Sequence, residues 1–371
     1  MATRIKAAVT RATGAAPVIE SLSIDDPRDG EVLVEIVAVG VCHTDMVMRD
    51  QLVPVPQPVV LGHEGSGIVR KVGPGVTTLQ PGDHVVLTVD SCGHCTQCEL
   101  DDPAYCHRIL PLNFLACRAD GSTALADADG KPVHSHVFGQ SSFASHAIAH
   151  ERNTVKIRKD VPLELMGPLG CGMQTGAGTV LEELKVRRGS SVAVSGTGAV
   201  GIAAIMAAKI AGAATIVALD INQERIALAR ELGATHGFIA TSASMADHAR
   251  AAGLERGFDY IIDTTGIPAV VSDAVPALAP RGQVCLVGAY PPEPKVAFDA
   301  TVVMSEGRVI RGIVEGSARP QTFIPALIEH WRDGQFPFDR LVEFFDFDDI
   351  AAAIEAGETG KVVKPILKLS A

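Results

Sequence analysis

The chain has 371 residues, with 32 Lys+Arg against 43 Asp+Glu and a formal net charge of −11. That length implies two domains, or three small ones, and the acidic balance argues against nucleic acid as the main partner, because such binding works through basic patches that release counterions. With 47% hydrophobic and 20% charged residues the chain is too apolar to be disordered.

The first part reads as β-rich. The runs Glu31–Val37 and His84–Leu87 are bounded by the turns Val72-Gly73-Pro74-Gly75 and Gln80-Pro81-Gly82-Asp83. Strand–helix alternation follows, with a strand at Ser191–Ser195, a helix at Ala199–Ala211, a strand at Thr215–Asp220 and a helix at Gln223–Leu232. Further strands are expected at Tyr260–Asp263 and Gln283–Val287, a pattern that predicts a parallel doubly wound sheet. The stretch from Ala199 to Leu219 carries one charge, Lys209, and has the length of a membrane span. Gly212 breaks it into a helix and a strand, so no membrane partner is expected. The run Val309–Val314 reads as an edge strand. A helix at Phe323–Asp333, a short helix at Ile350–Ala356 and a strand at Val362–Leu369 complete the reading. The nucleotide-type segment is therefore inserted between a β-rich part and a tail that returns to it.

Eight cysteines stand at Cys42, Cys92, Cys95, Cys98, Cys106, Cys117, Cys171 and Cys285, and the first residues contain no long apolar leader segment. This combination points to a reducing cytoplasm, where clustered thiols are metal ligands more often than disulfides. Cys92-x2-Cys95-x2-Cys98-x7-Cys106 suits a closed tetrahedral zinc shell of structural type, with an iron–sulfur cluster as the competitor. Cys42-His43-Thr44-Asp45, Gly62-His63-Glu64 and Cys171 are each ambiguous alone. Together they make a Cys/His/Cys set that leaves a fourth zinc position open. Cys117 and Cys285 remain as small buried hydrophobes, although the loop around Cys117 has the means to expose it.

Gly196-Thr197-Gly198-Ala199-Val200-Gly201 follows an apolar strand and opens a helix, and Asp220 closes the next strand. This is the context of a dinucleotide fingerprint. Asp220 accepts hydrogen bonds from ribose hydroxyls and repels a 2′-phosphate, which favours NAD over NADP. Arg225 either softens that preference or is an ordinary helix-surface residue.

Gly62-His63-Glu64-x2-Gly67-x5-Gly73-x2-Val76, the four-cysteine segment, Cys171 and the glycine fingerprint occur in one order along the chain. In this the chain resembles the zinc-dependent medium-chain alcohol dehydrogenases, and among them the bacterial aryl (benzyl) type. The resemblance implies an α/β protein with a β-rich GroES-like catalytic domain over 1–172, completed by 316–371, and a Rossmann doubly wound parallel-sheet domain over 173–315. It implies NAD, and two zinc ions per subunit: a catalytic ion on Cys42, His63 and Cys171 and a structural ion on Cys92, Cys95, Cys98 and Cys106. Asp45 would orient His63, with Glu64 as an inner acidic neighbour. Thr44 would take the alcohol proton, and His43 would support the pyrophosphate. Lys364 falls where a basic phosphate contact is expected, or is solvated surface. The residue three after the relay hydroxyl is Val47, where several members place a histidine, and His43 is the candidate to replace it.

The implied reaction is reversible oxidation of a primary, benzyl-type alcohol to its aldehyde, in a pocket near Val47, Val53, Thr88, Val89, Phe114 and Leu115. A glutathione-dependent formaldehyde dehydrogenase, a general aliphatic alcohol dehydrogenase and a non-enzymatic dinucleotide binder are the alternatives. The expected partners are a small-molecule alcohol or aldehyde and further copies of the chain, as a dimer or tetramer.

Overall fold

Hydrophobic side chains on both faces mark Glu31–Gly40 as a buried strand: Val32, Leu33, Val34, Ile36, Ala38 and Val39 all lie inside. The computed structural model describes residues 3–240, 243–290 and 295–369. It divides into two compact units, Met1–Cys171 with Arg319–Ile328 and Asp339–Ala371, and Gly172–Ala318 with Glu329–Phe338. The segment Glu329–Phe338 groups with the second unit, although its neighbours on both sides group with the first.

In the first unit, among the described residues, Glu31–Gly40 runs through the middle of a seven-stranded sheet. It pairs antiparallel with Glu64–Val72, with His146–His150 and with Lys364–Lys368. A second sheet of five strands is centred on the antiparallel pair Thr3–Thr10 and Val18–Ile24. The core between them includes Val34, Leu61, Phe143, Ala353 and Leu367.

This unit also encloses a charged network. Arg118 holds Glu31 through a two-pronged contact of 2.7 and 3.0 Å and reaches Asp25 at 3.1 Å. Beside it His136 is 8% exposed and has a left-handed backbone, φ +71. Burial, reinforced by the charges of Arg118 and Arg28, pushes its pKa down to about 4. The unfolded chain binds this proton near pH 6.5 and the folded chain does not, so stability falls as the pH drops from 6.5 towards 4. At about 1.4 kcal/mol per unit, the loss approaches about 3 kcal/mol. Urea denaturation followed by circular dichroism is expected to give a midpoint that declines over this range. His136→Asn, which retains tolerance of the left-handed region, is expected to flatten the decline. An identical acid limb in the two proteins would refute the assignment.

In the second unit, six strands lie in the order His236–Ile239, Thr215–Asp220, Ser191–Ser195, Phe258–Asp263, Leu278–Leu286 and Val309–Gly312. Every neighbouring pair is parallel. This is the doubly wound order, and its reversal between Ser191–Ser195 and Phe258–Asp263 is where ligands bind in such sheets. The Ala-rich run forms the helix Ala199–Ile210, buried continuously from Gly201 to Ala208, which accounts for its apolar composition. No helix among the described residues is long and apolar enough to cross a membrane. Asn222 starts the next helix by accepting hydrogen bonds from the Glu224 and Arg225 amides, and Gly233, with φ +142, ends it.

Candidate active site

The sheet of the first unit delivers the scattered Cys/His/Cys set to one place. Cys42 follows the strand Glu31–Gly40 and precedes the helix His43–Arg49. His63 and Glu64 stand at the start of the neighbouring strand, and Cys171 follows the turn Gly167–Gly170. One ligand atom from each of Cys42, His63, Glu64 and Cys171 lies within 4.8 Å of the others. Asp45 is buried and accepts from three donors: the His63 Nδ1 at 2.8 Å, the Gly62 amide at 3.0 Å and the Cys42 amide at 3.1 Å. A carboxylate at Nδ1 assigns the proton to that nitrogen and leaves the Nε2 lone pair free. His63 Nε2 is fully buried with no hydrogen-bond partner, beside the sulfurs of Cys42 and Cys171. A buried acceptor left bare among thiols fits a metal ion, and the donor set suits zinc with one position open.

Gly62 is required here for close approach. Its φ is +90, and a Cβ would stand 2.4 Å from the Phe143 amide nitrogen.

The four-cysteine segment folds on itself through the short helix Thr96–Glu99 and the turn Pro103–Tyr105. Sulfur separations are 3.6 Å for Cys95–Cys98 and 3.9 Å for Cys95–Cys106 and Cys92–Cys98. A disulfide needs about 2.05 Å, whereas the edge of a tetrahedron with 2.3 Å metal–sulfur bonds is about 3.8 Å. The spacing therefore suits a single ion rather than a multi-iron cluster.

In the second unit the glycine turn leaves the end of the strand Ser191–Ser195. A Cβ on Gly201 would lie 1.9 Å from the Gly196 carbonyl oxygen, so helix and turn meet there only through glycine. A Cβ on Gly198 would meet only Arg225 Nη1, at 3.5 Å. That opening is the cradle a phosphate fills, at the start of the helix opened by Ala199 and Val200. Asp220 closes the turn, taking hydrogen bonds from the Thr197 amide at 2.7 Å and hydroxyl at 2.8 Å. Next to it a cavity of 370 Å³ is lined by Gly196, Asp220, Ile221, Thr265 and Ile267 among others.

The comparisons agree with this geometry. The family model for the alcohol dehydrogenase GroES-like domain matches residues 28–159, and that for the zinc-binding dehydrogenase domain matches residues 199–330. A geraniol dehydrogenase of Castellaniella defragrans is 46% identical over 98% of this chain and 97% of its own. The chain belongs to the zinc-dependent medium-chain alcohol dehydrogenases. Among solved structures, an alcohol dehydrogenase zinc-binding domain protein from Burkholderia ambifaria is 51% identical, with a TM-score of 0.98 and full coverage of both chains. The benzyl alcohol dehydrogenase from Acinetobacter calcoaceticus is 45% identical, with a TM-score of 0.96, covering 99% of this chain and 100% of its own.

In this alcohol dehydrogenase the expectation for Lys364 is corrected. Its side chain is 3% exposed, so it is not solvated surface. Its ammonium donates to both Glu64 oxygens at 2.9 Å and to the Val41 carbonyl at 3.2 Å. Three donors with three internal acceptors leave none for a phosphate. Burial pushes the Glu64 carboxyl up to about 6 against the opposing pull of Lys364.

Of the expected pocket residues, Thr88 is fully buried and spends its hydroxyl on the Gly170 carbonyl at 2.7 Å, which makes it core. Val47 and Phe114 are half-buried, and Leu115 is exposed. Cys285 is buried, with its thiol pushed up to about 12 by burial, and Cys117 is half-buried. Ile221 and Ile267 went unread in the sequence, yet they line the dinucleotide-side cavity at 80% and 51% exposure. The available signal was an isoleucine directly after the acidic residue that ends the second strand.

Proposed function

We propose that this dehydrogenase oxidises primary alcohols whose carbinol carbon is bonded to an sp² carbon, benzylic or allylic, reversibly to the conjugated aldehyde. NAD is the hydride acceptor, and each subunit takes a catalytic and a structural zinc. The observation that carries the reading is the bare, buried His63 Nε2 set between two cysteine sulfurs and oriented by Asp45. The named relatives support the substrate class, since geraniol is allylic and benzyl alcohol benzylic.

When bound, zinc supplies a Lewis acid for the alcohol oxygen, and NAD accepts the hydride. The chain does the rest. Cys42, His63 and Cys171 hold the metal, Asp45 fixes the His63 tautomer, and the Thr44 hydroxyl takes the alcohol proton. Because Val47 has nothing to titrate, exposed His43 passes that proton to solvent. The pH profile of alcohol oxidation is expected to change in His43→Gln, and an unchanged profile would end this role. Gly196, Thr197, Gly198, Ala199, Val200, Gly201 and Arg225 form the pyrophosphate cradle, and Asp220 meets the ribose.

Asp220→Ser is expected to shift the ratio of kcat/KM for NAD over NADP by roughly 10–100-fold towards NADP, since a carboxylate beside a 2′-phosphate costs on the order of 1–3 kcal/mol. An unchanged ratio would remove Asp220 as the discriminator. The strand Val309–Gly312 stands last in its parallel sheet among the described residues, and a sheet edge, as a place where a second copy can add, supports a homodimer or a tetramer built from dimers. Six of the eight cysteines gathered in two metal-ligand groups support a reducing cytoplasmic setting.

One assay panel tests the reading: benzyl alcohol, geraniol and an aliphatic alcohol, with NAD or NADP, with and without glutathione, before and after chelation. Activity on the first two with NAD, lost on chelation, is expected. Activity confined to aliphatic alcohols or dependent on glutathione would overturn the substrate class.

A further inference from the structure

Asp45 holds His63 by a single in-plane contact at Nδ1. One contact of this kind sets the tautomer and the direction of Nε2, but leaves the ring free to tilt about the Nδ1···Oδ1 axis. The face of Phe138 blocks that tilt. Its ring stacks on the His63 imidazole with centroids 4.4 Å apart and planes 27° from parallel, and it also makes a T-shaped contact with Phe114, centroids 5.2 Å apart.

The segment that carries Phe138 has an unusual backbone. His136, Phe138 and Ser141 have φ of +71, +50 and +57, a region sparsely populated by residues other than glycine. Strained backbone of this kind persists only where its surroundings enforce it, and here they do. Asn153 Nδ2 lies 3.3 Å from the Phe138 carbonyl, 3.2 Å from that of Gly139 and 3.1 Å from that of Thr88. Gln140 Nε2 donates to the His63 carbonyl at 2.9 Å, while its Oε1 accepts from the Gly65 amide at 3.2 Å. The segment is thus bonded to the chain on either side of Glu64, and the same fastening presses an aromatic face against the metal-ligating ring.

We infer that Phe138 is a positioning residue for the catalytic metal: its ring fixes the plane of His63, and the left-handed backbone around it exists to hold that ring in place. The inference rests on the metal site proposed above.

The test compares Phe138→Leu and Phe138→Met, prepared in parallel so that one folded variant suffices, with Phe138→Tyr as the conservative control. The readouts are the rate at which zinc passes to a colorimetric chelator and the visible spectrum after cobalt(II) replaces the labile ion. That ion is assigned by its loss in Cys171→Ser. Stacking of this strength predicts release about threefold to tenfold faster from the catalytic site of the Leu and Met variants. An altered cobalt spectrum, wild-type behaviour in Phe138→Tyr and unchanged release from the four-cysteine site are expected with it. Wild-type release rates and spectra in Leu or Met would overturn the inference, as would equal acceleration at both sites, which marks general loosening. A wild-type protein holding one zinc rather than two, with Cys171→Ser unchanged, would overturn the metal site itself and this role with it.

Discussion

Thr44→Val is expected to lower kcat for alcohol oxidation by about 10²–10⁴-fold, the range of a lost proton-transfer group, with little change in the affinity for NAD. Thr44 lies at the start of the helix His43–Arg49, half-buried, with its hydroxyl oxygen 3.9 Å from the Cys42 sulfur. Valine keeps the branched shape and removes only the group that can receive and pass a proton. One helical turn on, Val47 provides no substitute, so loss of the hydroxyl severs the path at its first step. Zinc content is expected to stay at the wild-type value, because Thr44 is not among the grouped metal-binding side chains. Stopped-flow measurement of NADH formation separates the chemical step from product release. A fall of less than about tenfold in that step would show that another group takes the proton.

Lys364→Met is expected to destabilise the first unit by about 3–5 kcal/mol, as for other buried ion pairs stripped of one partner. The Glu64 carboxylate is fully buried, and a Cβ on Gly40 would stand 2.0 Å from its Oε2. Removing the ammonium therefore leaves a buried carboxylate without its cation. Hydrogen exchange in the strands Glu31–Gly40 and Lys364–Lys368 reads the effect where it arises, since the pair joins residues of that sheet. The double variant Glu64→Gln/Lys364→Met is expected to recover much of the loss, because no charge is then left uncompensated. If the single and double variants exchange alike, the pair contributes nothing beyond packing.

What the sequence disclosed depended on how local the cause was. The strand Thr215–Asp220 and the helix Gln223–Leu232 were legible to the residue, because Asn222 and Gly233 cap the helix and an unbroken apolar run makes the strand. The four-cysteine group was legible from its spacing, whereas Cys42, His63 and Cys171 were ambiguous singly and readable only as a set; the structure brings each group together. The strand expected at Gln283–Val287 instead spans Leu278–Leu286. Pro280, Arg281 and Gly282 imitate a loop, and Arg281 does take φ +67, but the ladder resumes across that irregularity. The burial of Lys364 was hidden for a different reason: its partner Glu64 is 300 positions away, and no local pattern encodes that meeting. The stack of Phe138 on His63 is illegible on the same ground.

The place of Lys364–Lys368 in the sheet also fixes an order of events during synthesis. This strand lies between Glu31–Gly40 and Val342–Asp346, yet it leaves the ribosome after the whole of Gly172–Ala318 and Glu329–Phe338. The nucleotide-type unit is fully available to fold while the earlier-made β-rich part still lacks an interior strand. Until that strand arrives, Glu64 lacks the Lys364 ammonium. The metal pocket is thus encoded early and finished late, since the strand that completes its sheet is made after every residue of the dinucleotide unit.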